Sequence, residues 1–434
     1  MSTGDYLLEL KAKGIELGLH ANETDLTFRA RSGALTPAIK DELRTRKPEI
    51  VAFLRDQTSH TRLPTPAARQ IVPTSQTENV ALSAAQTRLW LQSQFAGVAN
   101  NLAGAVRIRG ALEPTRLEAA LQGIVARHAS FRTRYTQDKA GQARQTIVDE
   151  VTWTLPQSDL RQVDNAVAAA MADIQARAQQ AFDLAKGRLL DARLYLLGPE
   201  DHILFVNMPH IAADGVSLQL FDRELAMGYA QQPVAPATLR YIDYAHWEQA
   251  QATDEASLAY WQAQLEDLPV VSLPTDNPTA PTALYEASEC HAQLLDATQT
   301  TRIRHFGAQR AATPFITWLA AFSLAVSRAT GENDMAIATA INHRPNANLS
   351  PVIGFFLNIL ALRVKTLEAR DFGELLEQAK GVCLKAYEHQ HVPFEQVVEQ
   401  LKPERSNSRN PLARLAFAVG DTPWMPCHTL AIEG

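Results

Sequence analysis

Stretches in which apolar and polar residues alternate are interspersed along this chain with longer stretches of helical periodicity. Residues 15–20 and 25–30 alternate on either side of a short polar turn, which predicts a β-hairpin. A helical pattern closed by Gly14 precedes the hairpin, and a second helical pattern, divided by Pro48, follows it. Residues 1–57 are therefore predicted to form a small unit in the order helix, strand, strand, helix, helix.

Residues 58–79 are rich in proline, threonine, serine and glutamine and lack a periodic apolar pattern, so we expect a linker there. From residue 80 onward, strand and helix patterns are mixed. Strands are predicted at 103–110, 132–137, 143–149, 191–197, 202–208, 285–294, 334–342 and 413–419. Helices are predicted at 83–95, 114–128, 217–230, within 243–267, and at 297–310, 314–331 and 372–389. The halves 80–250 and 251–434 share this texture, which predicts two similar α+β lobes.

Composition narrows the class of protein. The chain has 434 residues, of which 46% are hydrophobic and 20% charged, so it has ample material for globular cores. A net charge of −6, spread along the whole length, argues against a nucleic-acid-binding face. Cys290, Cys383 and Cys427 lie far apart, which favours a reducing compartment over a disulfide framework. Without a signal peptide or a membrane-spanning apolar run, a cytoplasmic protein is expected.

Candidate chemistry lies where a predicted strand ends. Residues 207–217 read NMPHIAADGVS. Pro209 keeps the residue before it extended, so His210 is expected to lie on rigid support at the end of the strand. Gly215 would permit a backbone conformation or a close approach that a side chain forbids, and Ser217 would cap the next helix. Alone, His-x-x-x-Asp-Gly is a weak motif, and a loop histidine beside an Asp-Gly turn is the alternative.

Further stretches accompany this one in a fixed order. They are LSAAQTRLWL (82–91), RHASFRTRY (127–135), YIDYAHW (241–247), IGFFLNILALR (353–363), HQHVPFEQVVE (389–399) and RSNSRNPLARLAF (405–417). Together with MPHIAADGVS, the series resembles the motif series of condensation domains of nonribosomal peptide synthetases, from about residue 80 to the end. The first 57 residues resemble the TubC-type docking domain found at the N-terminus of such synthetases.

The resemblance implies a fold and a reaction. Two lobes, each like chloramphenicol acetyltransferase, would form a V-shaped pseudo-dimer around a tunnel, preceded by a small α-β-β-α-α docking domain. Two carrier proteins would each send a phosphopantetheine arm into the tunnel, and the acceptor's α-amine would attack the donor's thioester carbonyl. The chain itself would bind no cofactor. Because the family usually extends further, the second lobe is expected to be truncated at its C-terminus.

The resemblance also assigns roles to residues. The family signature is His-His-x-x-x-Asp-Gly, and its second histidine, the catalytic one, falls on His210. Pro209 stands in place of the first histidine, which is a departure from the pattern. Asp214 is implied to be structural, with Arg127 as its expected partner, and Gly215 belongs to the same supporting group. The glutamate usual in the RHASFRTRY motif is replaced by Ala129.

Other residues are expected around the tunnel. The set implied to line it or to position substrate is Ser217, Asn358, Trp247 and Arg132. Trp247 is alternatively a packing residue, and Arg132 alternatively a solvated charge at a helix end. His389 and His391 lack a third ligand at metal spacing, so no metal site is predicted.

Partners follow from the same resemblance. Glu16, Arg29 and Arg31 on the hairpin are expected to select the C-terminal tail of an upstream synthetase. The donor and acceptor carrier proteins and an adenylation domain would lie outside this sequence, since it contains no adenylation or carrier motif; neither nucleic acid nor membrane is an expected partner. Two alternatives stay open: a starter-type domain that N-acylates the first amino acid from a fatty acyl-CoA, and an inactive docking or scaffold piece.

Overall fold

The computed structural model describes residues 10, 15–19, 26–30, 36, 39, 42–51, 70–94, 100–149, 153–269, 271, 273–274, 295–402 and 412–419. In space the chain forms two compact units, one of residues 1–68 with 293–317 and one of residues 69–292 with 318–434. The predicted boundaries at residues 57, 79 and 250 stay predictions. Within the described ranges, no helix is long and apolar enough to cross a membrane.

The elements with complete bounds are numbered along the chain. The strands are β1 (Ile15–Leu19), β2 (Leu26–Ala30), β3 (Val80–Ala81), β4 (Asn101–Arg109), β5 (Thr133–Gln137), β6 (Ala143–Ile147), β7 (Gln157–Asp159), β8 (Asp191–Gly198), β9 (Asp201–Pro209), β10 (Asp334–Asn342), β11 (Leu357–Lys365) and β12 (Leu415–Ala416). The helices are α1 (Ala84–Ser93), α2 (Pro114–Arg127), α3 (Ala166–Ala178), α4 (Gly215–Tyr229), α5 (Tyr241–Gln249), α6 (Glu255–Leu265), α7 (Ala297–Ala308), α8 (Pro314–Thr330), α9 (Phe372–Glu388) and α10 (Phe394–Leu401). The strand expected at 285–294 lies outside the described residues.

The smaller unit contains the predicted hairpin. Strands β1 and β2 pair antiparallel, which confirms the interpretation of their alternating sequences. Residues 42–51 form one helix that runs through Pro48, so the prediction that Pro48 divides it is wrong. Proline removes one helical hydrogen bond, but Ile50 and Val51 just beyond it are buried, and their packing offsets that loss.

In the larger unit, β9 is a central strand of a four-stranded sheet with the order β4-β9-β8-β7. Its side chains alternate between two apolar cores. Leu204 and Met208 pack with residues of α2 and α4. Ile203 and Phe205 pack with residues of α3 on the other face. Because both faces are buried, this strand reads as one continuous apolar run, and its end is held rigidly.

A second sheet has the order β11-β10-β12. Strands β10 and β11 pair antiparallel along their whole length, from Asp334 opposite Lys365 to Asn342 opposite Leu357. We call the part built around the four-stranded sheet, with α1 to α5, the first lobe. The part built around β10 and β11, with α6, α9 and α10, is the second lobe.

Of the four residues directly before β11, Ile353–Phe356, all but the glycine belong to apolar clusters of the first lobe. We call these four residues the crossing segment. Ile353 packs in the core beneath α2 and α4, and Phe355 packs with Leu89 and Trp90 of α1. Phe356 packs with Tyr241 and Tyr244 of α5. The second lobe thus inserts its chain into the first immediately before its own strand begins.

Left-handed backbone after two helices yields a stability prediction. Ala311 follows α7 with φ of 49°, and Gly331 follows α8 with φ of 78°, where an added Cβ would meet no heavy atom within 4 Å. Ala311→Gly should stabilise the fold, and Gly331→Ala should destabilise it, each by about 1 kcal/mol. The reason is that alanine is strained in the left-handed conformation and glycine is not. Thermal unfolding should show opposite shifts of ~2–4 °C. Shifts of the same sign would contradict this account.

Candidate active site

His210 lies directly after β9, on a short 3-10 turn of residues His210–Ala212. Its backbone N–H donates to the Asn100 carbonyl at 2.8 Å, and its ring Nδ1 lies 2.8 Å from the Ala213 carbonyl oxygen. A carbonyl only accepts, so Nδ1 carries the proton and donates. The neutral ring therefore keeps its lone pair on Nε2, which is the atom that can accept a proton.

The surroundings of His210 favour the neutral form. Burial lowers the pKa of its imidazole, which outweighs the opposing effects of the Ala213 carbonyl and the Asp214 carboxylate; Arg88 adds to the lowering. The ring of Phe355 meets the imidazole edge to face, with centroids 5.0 Å apart. At neutral pH the side chain is consequently an uncharged base, held between a carbonyl group and an aromatic ring.

Asp214 is fully buried and caps α4. Its Oδ1 accepts from the Ser217 backbone N–H at 2.8 Å and lies 2.7 Å from the Ser217 hydroxyl. The prediction that Ser217 caps this helix is wrong, because Asp214 immediately precedes the helix and reaches its third N–H. Ser217 instead connects the helix to the crossing segment: its hydroxyl lies 2.9 Å from the Gly354 carbonyl oxygen and accepts from the Gly354 N–H at 3.1 Å.

The charge partner of Asp214 comes from the second lobe. Arg344 donates to Oδ2 at 3.0 Å and to Oδ1 at 3.2 Å, and the Phe356 N–H donates to Oδ2 at 3.0 Å. Both side chains are buried, with 7% of Arg344 and none of Asp214 exposed. The guanidinium also lies over the Phe356 ring at 4.2 Å. This two-pronged pair joins the lobes directly beneath the His210 turn.

The prediction that Arg127 pairs with Asp214 is therefore wrong. Arg127 lies 3.3 Å from the Glu224 carboxylate and donates to the carbonyls of Val234 and Ala235. Glu224 projects from α4 toward α2 and also binds His128 Nε2 at 2.8 Å. Packing of α2 against α4 supplies a carboxylate closer to Arg127 than Asp214 is. Arg127 and His128, the first two residues of the RHASFRTRY stretch, thus share Glu224 as their acidic partner.

Gly215 and Pro209 lie on either side of the His210 turn. The steric constraint that was expected at Gly215 is absent. Gly215 is the first residue of α4, and a side-chain carbon built there meets no heavy atom within 4 Å. The expectation that a side chain would clash at this position is wrong, because the space before the helix is open. Pro209 ends β9 opposite Asn101.

Arg132 and Trp247 are held by packing and backbone contacts. The Arg132 guanidinium donates to four backbone carbonyls, those of Val125, Ala126, Val148 and Asp149. It therefore fastens the end of α2 to the strand region beside it, and the alternative of a solvated charge is wrong. The Trp247 ring lies 5.8 Å from that of Tyr244 and packs on the cluster that contains Phe356. For both residues, a role toward substrate stays a prediction.

Asn358 lies at a small cavity between the lobes. Its amide donates to the carbonyls of Gln390 and Val392, both at 2.8 Å, and accepts from the Phe394 N–H at 3.0 Å. The cavity is lined by Ala85, Tyr244, Glu248, His343, Leu357, Asn358, His391, Pro393 and Glu395. Burial raises the pKa of Glu248 to about 7 and lowers that of His343 to about 4. The expectation that Asn358 lines a substrate tunnel stays a prediction.

The remaining predicted residues are placed as follows. His389 Nδ1 lies 2.8 Å from the Ser257 hydroxyl, and His391 Nε2 lies 2.7 Å from Asp254. Among the described residues, no group of three His, Cys, Asp or Glu side chains could hold a metal ion. On the hairpin, Glu16 and Arg29 stand opposite each other in the strand register, and Arg31 lies outside the described residues.

Several residues of the site were missed by sequence reasoning. Arg344, Tyr241 and Glu224 make its buried polar contacts, yet Arg344 lies in an unremarkable HRPN stretch. Tyr241 stands within a motif already singled out, which was the available signal. Arg88 of α1 forms a 2.7 Å ion pair with Glu395 of α10, and that pair also joins the lobes.

Comparison with known proteins agrees with this geometry. The condensation domain model matches residues 76–428, and the TubC N-terminal docking domain model matches residues 4–56. This chain belongs to the condensation domain family. The resemblances stated from the motif series are thereby confirmed. Condensation domains of peptide synthetases are acyltransferases that form amide bonds, so the predicted enzyme class is confirmed as well.

Curated relatives are much longer than this condensation domain chain. It is 34% identical to the phosphinothricin tripeptide synthetase PhsC of Streptomyces viridochromogenes over 79% of its own length and 33% of that relative. It is 32% identical to tyrocidine synthase 3 of Brevibacillus parabrevis over 80% of its length and 5% of that relative. The chain thus spans a third or less of each of these relatives.

Solved structures share the fold. The X-domain from teicoplanin biosynthesis is 28% identical, with a TM-score of 0.71 over 80% of this chain and 79% of that one. The first condensation domain of the calcium-dependent antibiotic synthetase, in complex with a substrate analogue, is 21% identical, with a TM-score of 0.61 over 74% and 77% of the two chains. The predicted α+β fold, like that of chloramphenicol acetyltransferase, is confirmed.

The crossing segment generates a steric prediction. A methyl group on Gly354 would lie 2.1 Å from Tyr241 Cδ2, whereas one on Gly381, in the middle of α9, meets nothing within 4 Å. Gly354→Ala should therefore lower the free energy of unfolding by about 1–3 kcal/mol, because the segment must move off Tyr241. Gly381→Ala should raise it by roughly 0.5–1 kcal/mol, through helix propensity alone. Denaturant unfolding of both variants compares them, and equal stability would contradict the packing described.

Proposed function

We propose that this chain forms a peptide bond between two carrier-bound substrates. The α-amine of an aminoacyl group would attack the thioester carbonyl of a donor aminoacyl or peptidyl group, both carried on phosphopantetheine arms. The observation that carries the proposal is the Nδ1 contact of His210 with the Ala213 carbonyl, which leaves Nε2 as a fixed acceptor at the junction of the lobes. Membership of the condensation domain family supports the choice of reaction.

The bond changes balance without a cofactor bound to the chain. The amine nitrogen forms a bond to the thioester carbon, the carbonyl oxygen becomes an oxyanion, and the carbon–sulfur bond then breaks. His210 Nε2 accepts a hydrogen bond from the attacking amine, takes its proton as the new bond forms, and returns it to the leaving thiolate. Because the imidazole starts neutral, it is in the form that this step requires.

Positioning contributes more to the rate than proton removal. An α-amine has a pKa of ~8, so a usable fraction is already neutral at cellular pH. Holding amine and thioester at reacting distance contributes ~7–11 kcal/mol. A general base adds about 10²–10⁴-fold, which corresponds to about 3–5 kcal/mol. The rigid seat of His210 between β9 and the crossing segment fits this emphasis on orientation.

The start of α4 is the proposed oxyanion site. Its first N–H groups, around Gly215, lie at the positive end of the helix dipole, close in sequence to His210. The space above Gly215 is open. Backbone donors in that place would stabilise the oxyanion as it develops.

Partners are proposed on the same basis. Two carrier proteins would deliver the substrates, and an adenylation domain outside this sequence would activate the acceptor amino acid. The β1–β2 hairpin, within the region that matches the TubC docking domain, would receive the C-terminal tail of an upstream synthetase as an added strand. We place the reaction in the cytoplasm because the cysteine spacing favours a reducing compartment.

A scaffold role is the second candidate. Pro209 replaces the first histidine of the signature, and a solved complex of the X-domain and OxyB from teicoplanin biosynthesis is 27% identical to this chain, with a TM-score of 0.70. A protein with this fold therefore binds another protein in that system. The substitution described next separates the two candidates, since a scaffold needs no base at residue 210.

His210→Ala should lower dipeptide formation by about 10²-fold or more, because the amine loses its hydrogen-bond acceptor. Mass spectrometry of the products on loaded donor and acceptor carriers measures the rate. The melting temperature should stay within about 2 °C of the parent, since the side chain makes one hydrogen bond. His305→Ala, an exposed histidine on α7, is the matched control and should retain full activity. Near-normal turnover by His210→Ala would remove this residue from the mechanism.

Deleting residues 1–57 should abolish transfer from a donor carrier on the separate upstream synthetase, because docking raises the local donor concentration. The same deletion should spare transfer from a donor carrier fused to this chain. Loss in both arrangements, measured by the same product assay, would contradict a docking role for these residues.

A further inference from the structure

One buried hydroxyl connects three of the sequence motifs. Tyr241, the first residue of α5, donates its hydroxyl hydrogen to the Phe355 carbonyl at 2.7 Å and lies 2.8 Å from the Ser83 hydroxyl. Ser83 caps α1, and Phe355 belongs to the crossing segment. The motif stretches 82–91, 241–247 and 353–363 therefore meet at a single oxygen atom.

The direction of each hydrogen bond in this group is determined. The Phe355 carbonyl only accepts, so the Tyr241 hydroxyl donates to it and accepts from the Ser83 hydroxyl. The Ser83 oxygen in turn accepts from the Gln86 N–H at 3.1 Å, within the capping box of α1. Burial raises the pKa of Tyr241 well above its ordinary value, so the hydroxyl remains a donor throughout the working pH range.

This arrangement determines where the Phe355 ring lies. The Tyr241 hydroxyl holds the Phe355 carbonyl, while the Tyr241 ring packs on Phe356 with centroids 4.8 Å apart. Because the Phe355 carbonyl and the Phe356 ring are both held, the Phe355 side chain is directed onto the imidazole of His210. Tyr241 thus acts on the backbone that carries the aromatic cover of His210.

We propose that Tyr241 is a positioning residue for condensation: its hydroxyl holds Phe355 against His210, which orients the imidazole and keeps water from it. This inference rests on the role proposed above for His210. It adds Tyr241, 31 positions after His210, as a second residue that supports the reaction. The Tyr241 ring itself takes no part in the bond changes.

Electrostatics supports the role and gives it a readout. Burial is the largest cause of the lowered His210 pKa. The titratable groups that face the imidazole are Asp214 at the head of α4 and Arg88 on α1, and the crossing segment contributes none. If Phe355 loosens, water reaches the ring and its pKa rises toward the ordinary value. As the pH is lowered, the imidazole would then become protonated at a higher pH than in the parent, so the acid limb of the pH–rate profile would move to higher pH.

Tyr241→Phe removes the hydroxyl and keeps the ring. It should lower kcat about tenfold with KM within about twofold, because the substrates still bind while the base is less well oriented. The acid limb of the kcat–pH profile should move to higher pH by about half a pH unit. Tyr195→Phe is the matched control: the Tyr195 side chain is also buried, and its hydroxyl donates to Asp173 in the first lobe, away from the crossing segment. Tyr195→Phe should leave kcat, KM and the acid limb of the kcat–pH profile unchanged.

Titration by NMR tests the same point without substrates. With ¹³C-labelled histidine, the His210 signal is assigned by its absence in His210→Ala. Its midpoint should rise by about half a pH unit in Tyr241→Phe and stay in place in Tyr195→Phe. Phe355→Leu, which keeps the hydroxyl contacts and removes the ring, should raise the midpoint in the same direction, and it serves if Tyr241→Phe does not fold.

The outcomes separate this inference from the proposed function. A raised midpoint together with the fall in kcat supports the positioning role. An unchanged midpoint, or a kcat no lower than that of Tyr195→Phe, overturns it. Full turnover by His210→Ala would instead refute the proposed mechanism, and the NMR titration would still report whether Tyr241 governs the environment of His210.

Discussion

The buried pair of Asp214 and Arg344 is the interaction on which the rest of the site depends. Taking two charges out of water is costly, and only good geometry offsets that cost. Here the guanidinium meets both carboxylate oxygens, and the remaining acceptor capacity is used by the Ser217 and Phe356 N–H groups. One carboxylate thus caps α4, binds the second lobe and holds the crossing segment, so these three features are present or lost together.

The crossing segment explains how distant motifs build one site. Each of its residues makes a hydrogen bond to the first lobe: the Ile353 carbonyl accepts from Ser130, Gly354 binds Ser217, the Phe355 carbonyl accepts from Tyr241, and the Phe356 N–H donates to Asp214. A backbone held at four successive positions has little freedom. The aromatic ring it places beside His210 therefore belongs to a rigid support, as a reaction dominated by orientation requires.

Two other buried carboxylates of the first lobe also have basic partners. Glu224 binds both Arg127 and His128, and Asp243 binds Arg240 and the Thr74 N–H. Glu248 differs, because among the described residues it has hydrogen-bond donors but no cationic partner: the Ala84 N–H and the Tyr244 hydroxyl donate to it, and burial raises its pKa to about 7. At neutral pH, Glu248 is therefore close to titrating at the cavity between the lobes.

The sequence by itself determined the elements whose patterns are local. The alternation of β1 and β2, the apolar run of β9 and the helical periods of α2, α4 and α9 are set by neighbours along the chain, and the motif order located His210. Only the tertiary structure decided that Arg344, 130 residues away, pairs with Asp214, that Tyr241 reaches Phe355, and that the helix continues through Pro48. Those outcomes depend on which buried groups the folded lobes bring within hydrogen-bonding or packing distance, and residues so far apart leave no periodic signal in the sequence.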